Sequence, residues 1–145
     1  MSSKNSVATV LTEPKIFSIS VFLRIENIRK AIELNPSYDG AYIKLGNMLK
    51  DQGSIEEAIR TYKKAIAVNP DCADAYSNLG IVLKDQGELE EAIQNYKKAV
   101  ELNPTYAGGY SNLGNALKGQ GKLKKAIQNH RKAIELNPTY AGGYS

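Results

Sequence analysis

Residues 73–106 (ADAYSNLGIVLKDQGELEEAIQNYKKAVELNPTY) overlie residues 107–140 when moved forward by 34 positions, and residues 39–72 when moved back. The pair Asn-Pro marks the same beat at Asn35-Pro36, Asn69-Pro70, Asn103-Pro104 and Asn137-Pro138. A period of this size constrains the fold more than any other feature of the chain. Each unit must be a supersecondary element that buries its apolar surface against its neighbours, so the chain is an array and has no single centre.

Two amphipathic patterns follow each other inside the unit. Tyr76, Leu79, Gly80 and Leu83 recur at i, i+3, i+4 and i+7, which is one face of a helix. After Asp85-Gln86-Gly87, the set Leu89, Ala92, Ile93, Tyr96, Ala99 and Val100 repeats that spacing. Gly87 stands where a helix stops in a left-handed residue, which glycine adopts without a Cβ clash. The unit is predicted to be helix–turn–helix. Small residues on facing sides, Gly80 and Ala92, let its two helices approach closely, while Tyr96 and Ala99 are expected to meet the next unit.

The pattern Tyr76-x-x-Leu79-Gly80-x-x-Leu83, then Ala92-x-x-x-Tyr96, then Pro104 resembles the tetratricopeptide repeat, with Tyr76 where that pattern has tryptophan. Tyr42, Leu45, Gly46, Leu49, Ala58, Tyr62 and Pro70 match in the preceding unit. Tyr110, Leu113, Gly114, Leu117, Ala126, His130 and Pro138 match in the following one. The resemblance implies an all-α chain, a right-handed α-solenoid of helix-turn-helix repeats. The units are then a non-repeat segment at 1–24, a partial repeat at 25–38 with only its second helix, full repeats at 39–72, 73–106 and 107–140, and the opening of a truncated repeat at 141–145.

Composition narrows the function classes. Cys72 is the only cysteine, which excludes an internal disulfide and a cysteine-based metal site and fits a reducing compartment, so a cytoplasmic location is expected. The net charge of +4 is too small to argue for nucleic acid. Its distribution is uneven: +2 over residues 1–38, 0 over 39–72, −3 over 73–106 and +5 over 107–140.

At the N-terminus, Pro14 falls in the middle of where a preceding first helix would lie, and proline in a helix interior costs about 3 kcal/mol. The apolar run 16–23 (IFSISVFL) is shorter than the roughly 20 residues of a membrane span. It also lacks the layout of a secretory signal, so no membrane partner is expected and the segment reads as a cap or loose end. Periodicity begins at Ile25, but Arg24 stands where the full repeats place Ala58, Ala92 and Ala126. A buried arginine there would block a close partner helix.

Local helix chemistry differs between repeats. Ser54-x-x-Glu57 has the form of a capping box, and Glu88, Glu90 and Glu91 open the equivalent helix with acids at its positive dipole end. Lys122, Lys124 and Lys125 reverse that pattern in the third repeat. Gly108 and Gly109 each cost up to about 1 kcal/mol there relative to alanine. The third repeat is therefore expected to be the weakest. Residues 101–111 recur letter for letter as 135–145, so the sequence stops just inside a fourth repeat without a polar capping helix. The array is then either a fragment of a longer protein or one whose last face is covered by something else, including another copy.

Catalytic readings find no support. His130, the only histidine, replaces Tyr62 and Tyr96 at a packing position and has no nucleophile motif beside it. Gly121-Lys122 lacks the earlier glycine and the following serine or threonine of a phosphate loop, since Ala116 and Leu123 hold those places. Neither an enzyme activity nor a cofactor or metal is expected.

The informative surface is the inner face of the first helices, which in the family line a groove that holds an extended peptide or a partner helix. By register the groove-facing sets are Lys44/Asn78/Asn112, Asn47/Ile81/Asn115, Lys50/Lys84/Lys118 and Asp51/Asp85/Gly119. Asparagine carries a donor and an acceptor, so a ladder of asparagines can pair with any peptide backbone. This pattern resembles the repeat arrays of the O-linked N-acetylglucosamine transferases, which implies recruitment by an array whose catalytic domain lies elsewhere. A chaperone-type carboxylate clamp is disfavoured. It needs cations where Ile43, Gly108 and Asn112 stand, and only its asparagines, Asn47 and Asn78, are present. The expected role is a protein-interaction scaffold, with self-association through the last repeat as the alternative.

Overall fold

The structure, a computed structural model, describes residues 13–139. Among them are seven helices and no strand: α1 (Glu13–Leu34), α2 (Asp39–Gln52), α3 (Ile55–Val68), α4 (Ala73–Asp85), α5 (Leu89–Leu102), α6 (Ala107–Gly119) and α7 (Leu123–Leu136). The pairs α2–α3, α4–α5 and α6–α7 are the three full repeats. The turn inside each is built the same way. Gly53, Gly87 and Gly121 have φ of 90°, 83° and 78°, the left-handed region that closes a helix. Around Gly53 the chain makes the paired bonds of a Schellman stop, Gly53 N–H to the Lys50 carbonyl at 3.0 Å and Ser54 N–H to the Leu49 carbonyl at 2.8 Å. Gly87 with Glu88, and Gly121 with Lys122, repeat both bonds.

The Asn-Pro beat marks the other joint, between repeats. Each asparagine folds its amide back over the turn. The Asn35 and Asn103 carbonyls accept from the Ser37 and Thr105 hydroxyls, and Asn69 and Asn137 accept from the Asp71 and Thr139 backbone N–H groups. Proline then prevents the second helix from continuing.

Within a repeat the helices touch through a glycine and a ring. A Cβ on Gly46 would stand 2.5 Å from Tyr62 Cε1, and one on Gly80 would stand 2.7 Å from Tyr96 Cε1. Tyr96 therefore meets Gly80 of its own repeat, where the sequence had suggested a contact with the next. His130 takes the same place against Gly114. Beneath the rings, Ala58 and Ala92 are fully buried and Leu45, Leu49, Leu79, Leu83, Leu113 and Leu117 run as one apolar core along the array.

Three local readings are corrected. Ser54 makes no side-chain capping bond. Glu57 is occupied elsewhere, accepting from Arg29 Nη2 of α1 at 2.6 Å, so the capping box does not form. Gly108 and Gly109 are not simply weak helix formers: a Cβ on Gly108 would meet the Tyr106 ring at 2.6 Å, and one on Gly109 would meet Val100 Cγ1 at 2.8 Å. Gly108 thus leaves room for the Tyr106 ring just before it, and Gly109 admits a close contact with the preceding repeat. Lastly, α1 runs unbroken from Glu13 across the expected boundary at 24/25. Pro14 is tolerated because it lies in the first turn, where its missing N–H has no intrahelical partner to lose. Arg24 is exposed. The readings of residues 1–12 as a cap or loose end and of 141–145 as the start of a further repeat lie outside the described residues.

Candidate peptide-binding groove

The curvature of the array follows from which helices touch. First helices of successive repeats, α2 with α4 and α4 with α6, are in contact, while no pair of second helices packs as extensively. The first helices therefore lie on the inside of the bend. The register expectation assigns groove-facing positions to these helices.

Lys50, Lys84 and Lys118 sit in the last turns of α2, α4 and α6, where their charges complement the helix carbonyl ends. Lys44, Asn115 and Lys118 are exposed, and Asn47, Lys50, Asn78, Ile81, Lys84 and Asn112 are half-buried. Asn78 and Asn112 hold one register on neighbouring helices. Neither side chain is engaged in a hydrogen bond among the described residues, so each amide keeps its donor and acceptor available.

Asn47 differs. Its Oδ1 accepts the Tyr62 hydroxyl, a bond that ties α2 to α3. The equivalent of Asn47 in the second repeat is Ile81, which packs against the core. Tyr96 below it is fully buried, and its hydroxyl has no hydrogen-bond partner among the described residues. Burial pushes the Tyr62 hydroxyl up to about 12, with Asp51 adding to the effect. Burial and Asp85 act the same way on Tyr96. At the third repeat the ring is His130, held below the usual imidazole range by burial and then by the charge of Lys118. These neighbours place Asp51, Asp85 and Lys118 along the line of the rings. The orphan hydroxyl of Tyr96 was not legible in the sequence reading, although the Asn47/Ile81/Asn115 register carried the signal.

Two other features are structural. Cys72 is half-buried in the joint before α4, and burial, ahead of the nearby Asp39 carboxylate, raises its thiol, which suppresses thiolate reactivity. Asp39 is lowered first by the Asn69 amide, which donates to Oδ2 at 3.0 Å across the repeat boundary. Among the described residues no group of three or more His, Cys, Asp or Glu side chains could hold a metal ion, and no helix is long and apolar enough to cross a membrane.

Models of the TPR repeat match residues 46–87 and 82–121, and a tetratricopeptide repeat model matches residues 107–140. The chain belongs to the tetratricopeptide repeat family. Solved structures share the arrangement. A crystal structure of MamA is 32% identical, with 81% of this chain and 69% of that chain covered at a TM-score of 0.74. A second MamA structure is 29% identical, with 99% and 80% covered and the same TM-score of 0.74. A search of curated protein sequences returns no match. The tetratricopeptide repeat assignment makes the chain an all-α solenoid of the protein-interaction and assembly type.

Proposed function

We propose that the concave face binds an extended peptide or a partner helix of another protein, and that Asn78 and Asn112 pair with an extended peptide's backbone. The observation that supports this reading is the pair of half-buried amides at one register of α4 and α6, with no hydrogen bond to another side chain or backbone group among the described residues. An amide pairs with a peptide group whatever the side chain, so the asparagines supply affinity and the surrounding residues supply choice. Lys44, Lys50, Lys84 and Lys118 favour acidic ligands, an effect that salt weakens. Asn47, with one bond to its carbonyl already made by Tyr62, keeps its NH2 group for a ligand, and Asn115 lies exposed at the far end. The half-buried Ile81 gives the middle of the groove an apolar spot. The role is recruitment without catalysis, whether alone or as the array of a larger enzyme.

The test uses a display library of random dodecamer peptides, from which a groove ligand is selected and labelled. Replacing Asn78 and Asn112 by alanine should weaken its binding about 5- to 150-fold, since each lost bond is worth roughly 0.5–1.5 kcal/mol. Helix content should be unchanged. Binding of the double variant at parental affinity would remove the asparagines from the reading.

A further inference from the structure

First helices touch on the inside of the bend, so the gaps between successive second helices open on the outside. Arg29 reaches Glu57 as Lys63 reaches Glu91, so α1 stands to α3 as α3 stands to α5. Between α1 and α3 the gap holds a cavity of about 320 Å³, and none of the groove positions assigned by register lines it. Its floor is buried Leu45 and Thr61, with half-buried Ile32 and Tyr42 beside them. Both hydroxyl protons there are spent inside the protein: Tyr42 donates to the Pro36 carbonyl at 2.9 Å and Thr61 to the Glu57 carbonyl at 2.7 Å.

The charged part of the lining is unevenly matched. Arg29 and Glu57 neutralise each other at 2.6 Å. That leaves Arg60 and Lys64 on α3 and Glu33 on α1, all exposed and none in an ion pair or side-chain hydrogen bond among the described residues. Arg60 and Lys64 are i and i+4, on one face of α3. Both free cations are departures from the repeat. Arg60 stands where the later second helices carry Gln94 and Gln128. Lys64 is the equivalent of Lys98 and Lys132, which pair with Glu101 and Glu135 at 3.7 and 3.8 Å. The residue at that offset from Lys64 is Ala67, so its charge is unmatched. Neither change serves the packing of helices, since both side chains lie exposed at the rim.

We propose that this cavity is a second ligand site, which takes an anionic side chain of a partner protein: a carboxylate or phosphate group on a short apolar stem. The volume is at the lower end of ligand pockets, which suits one anchoring side chain better than a whole cofactor. The stem lies on Ile32, Tyr42 and Leu45. The head meets Arg60 and Lys64, the guanidinium fork taking two oxygens at once. Glu33 on the facing helix repels the same head and so limits affinity. The site shares no residue with Asn78, Asn112 or the groove lysines, so it stands or falls apart from the groove.

The test is a titration of the full chain at fixed ionic strength, followed by the backbone amide signals in proton–nitrogen NMR. The probes are phenyl phosphate and phenylacetate, with benzyl alcohol as the neutral control. Both anions should shift the signals of 29–33 and 60–64 saturably, and benzyl alcohol should not. Arg60→Gln installs the residue of the other repeats and should weaken phenyl phosphate about tenfold. Glu33→Ala installs the residue found at the equivalent Ala67 and should strengthen it. Both positions are exposed, so helix content should stay parental. A pentapeptide with phosphotyrosine between glycines should bind at least as tightly as phenyl phosphate. Shifts that do not saturate at 60–64, or an Arg60→Gln variant that binds as the parent does, would overturn the proposal. Weaker binding by Glu33→Ala would mean that the ligand carries a cation and would overturn its anionic class. Exclusion of the peptide while phenyl phosphate binds would overturn the assignment to a partner's side chain.

Discussion

Replacing tyrosine by phenylalanine at two equivalent positions should change stability in opposite directions. Tyr62 and Tyr96 are both 0% exposed and both lie on the glycine of their partner helix. They differ in one atom's surroundings. The Tyr62 hydroxyl donates to Asn47 Oδ1, and the Tyr96 hydroxyl has no acceptor because Ile81 occupies the equivalent position. Tyr62→Phe removes a made bond and should cost about 0.5–1.5 kcal/mol. Tyr96→Phe removes a buried group that was desolvated without compensation, so it should stabilise by up to about 1–3 kcal/mol, the penalty of such a group. Ile81→Asn supplies the missing acceptor. Its benefit should appear with Tyr96 present and vanish with phenylalanine there, a coupling that a double-mutant cycle isolates. Urea unfolding followed by far-ultraviolet dichroism gives the midpoints, with unchanged slopes as the condition for comparison. A Tyr96→Phe variant that loses stability as Tyr62→Phe does would show that the hydroxyl has an acceptor and would refute the reasoning.

Gly80→Ala should destabilise by about 1–3 kcal/mol in a thermal melt, since its Cβ would press on the buried Tyr96 ring; a gain, as helix propensity alone predicts, would contradict the close-approach argument. Gly114→Ala should cost less, because half-buried His130 can shift. Alkaline titration should weaken the fold. The folded hydroxyl of Tyr62 ionises near 12 against 10.0 unfolded, so its contribution is intact below pH 10 and falls by about 1.4 kcal/mol per unit from there to about pH 12. Tyr96 acts in the same direction, and a midpoint flat from pH 9 to 11 would oppose this. Hydrogen exchange in 122–136 should outpace that in 88–102, because Lys125 faces the register of Lys97 where Glu57 and Glu91 meet Arg29 and Lys63. Lys125→Glu should narrow the difference, and equal rates in the parent would count against it.

The architecture was legible because it is written three times. One glycine that must turn left, one glycine that must admit a ring and one Asn-Pro joint recur at fixed offsets, and each copy checks the others. Features that occur once were harder to read. The capping box at Ser54 was a sound local motif, but an arginine 28 residues earlier claims Glu57 across the repeat boundary. Gly108 and Gly109 looked costly by propensity until Tyr106 and Val100 were placed against them. The start of α1 was misplaced because Pro14 was aligned to a repeat that α1 does not follow. The groove positions came from register alone, yet register could not show that Asn47 serves the core while Asn78 and Asn112 do not.

The most direct measurement of the central claim couples those two amides to the ligand's own backbone. Single backbone amides of a selected groove peptide are N-methylated in turn, and each peptide is titrated against the parent and against Asn78→Ala and Asn112→Ala separately. Pairing with the backbone predicts a coupling of about 0.5–1.5 kcal/mol between Asn78 and one peptide position, and between Asn112 and a different one. The coupling should persist at high salt, where the contribution of Lys50, Lys84 and Lys118 fades. Additive losses at every position would mean that neither asparagine touches the backbone, and the proposed mode of binding would be wrong.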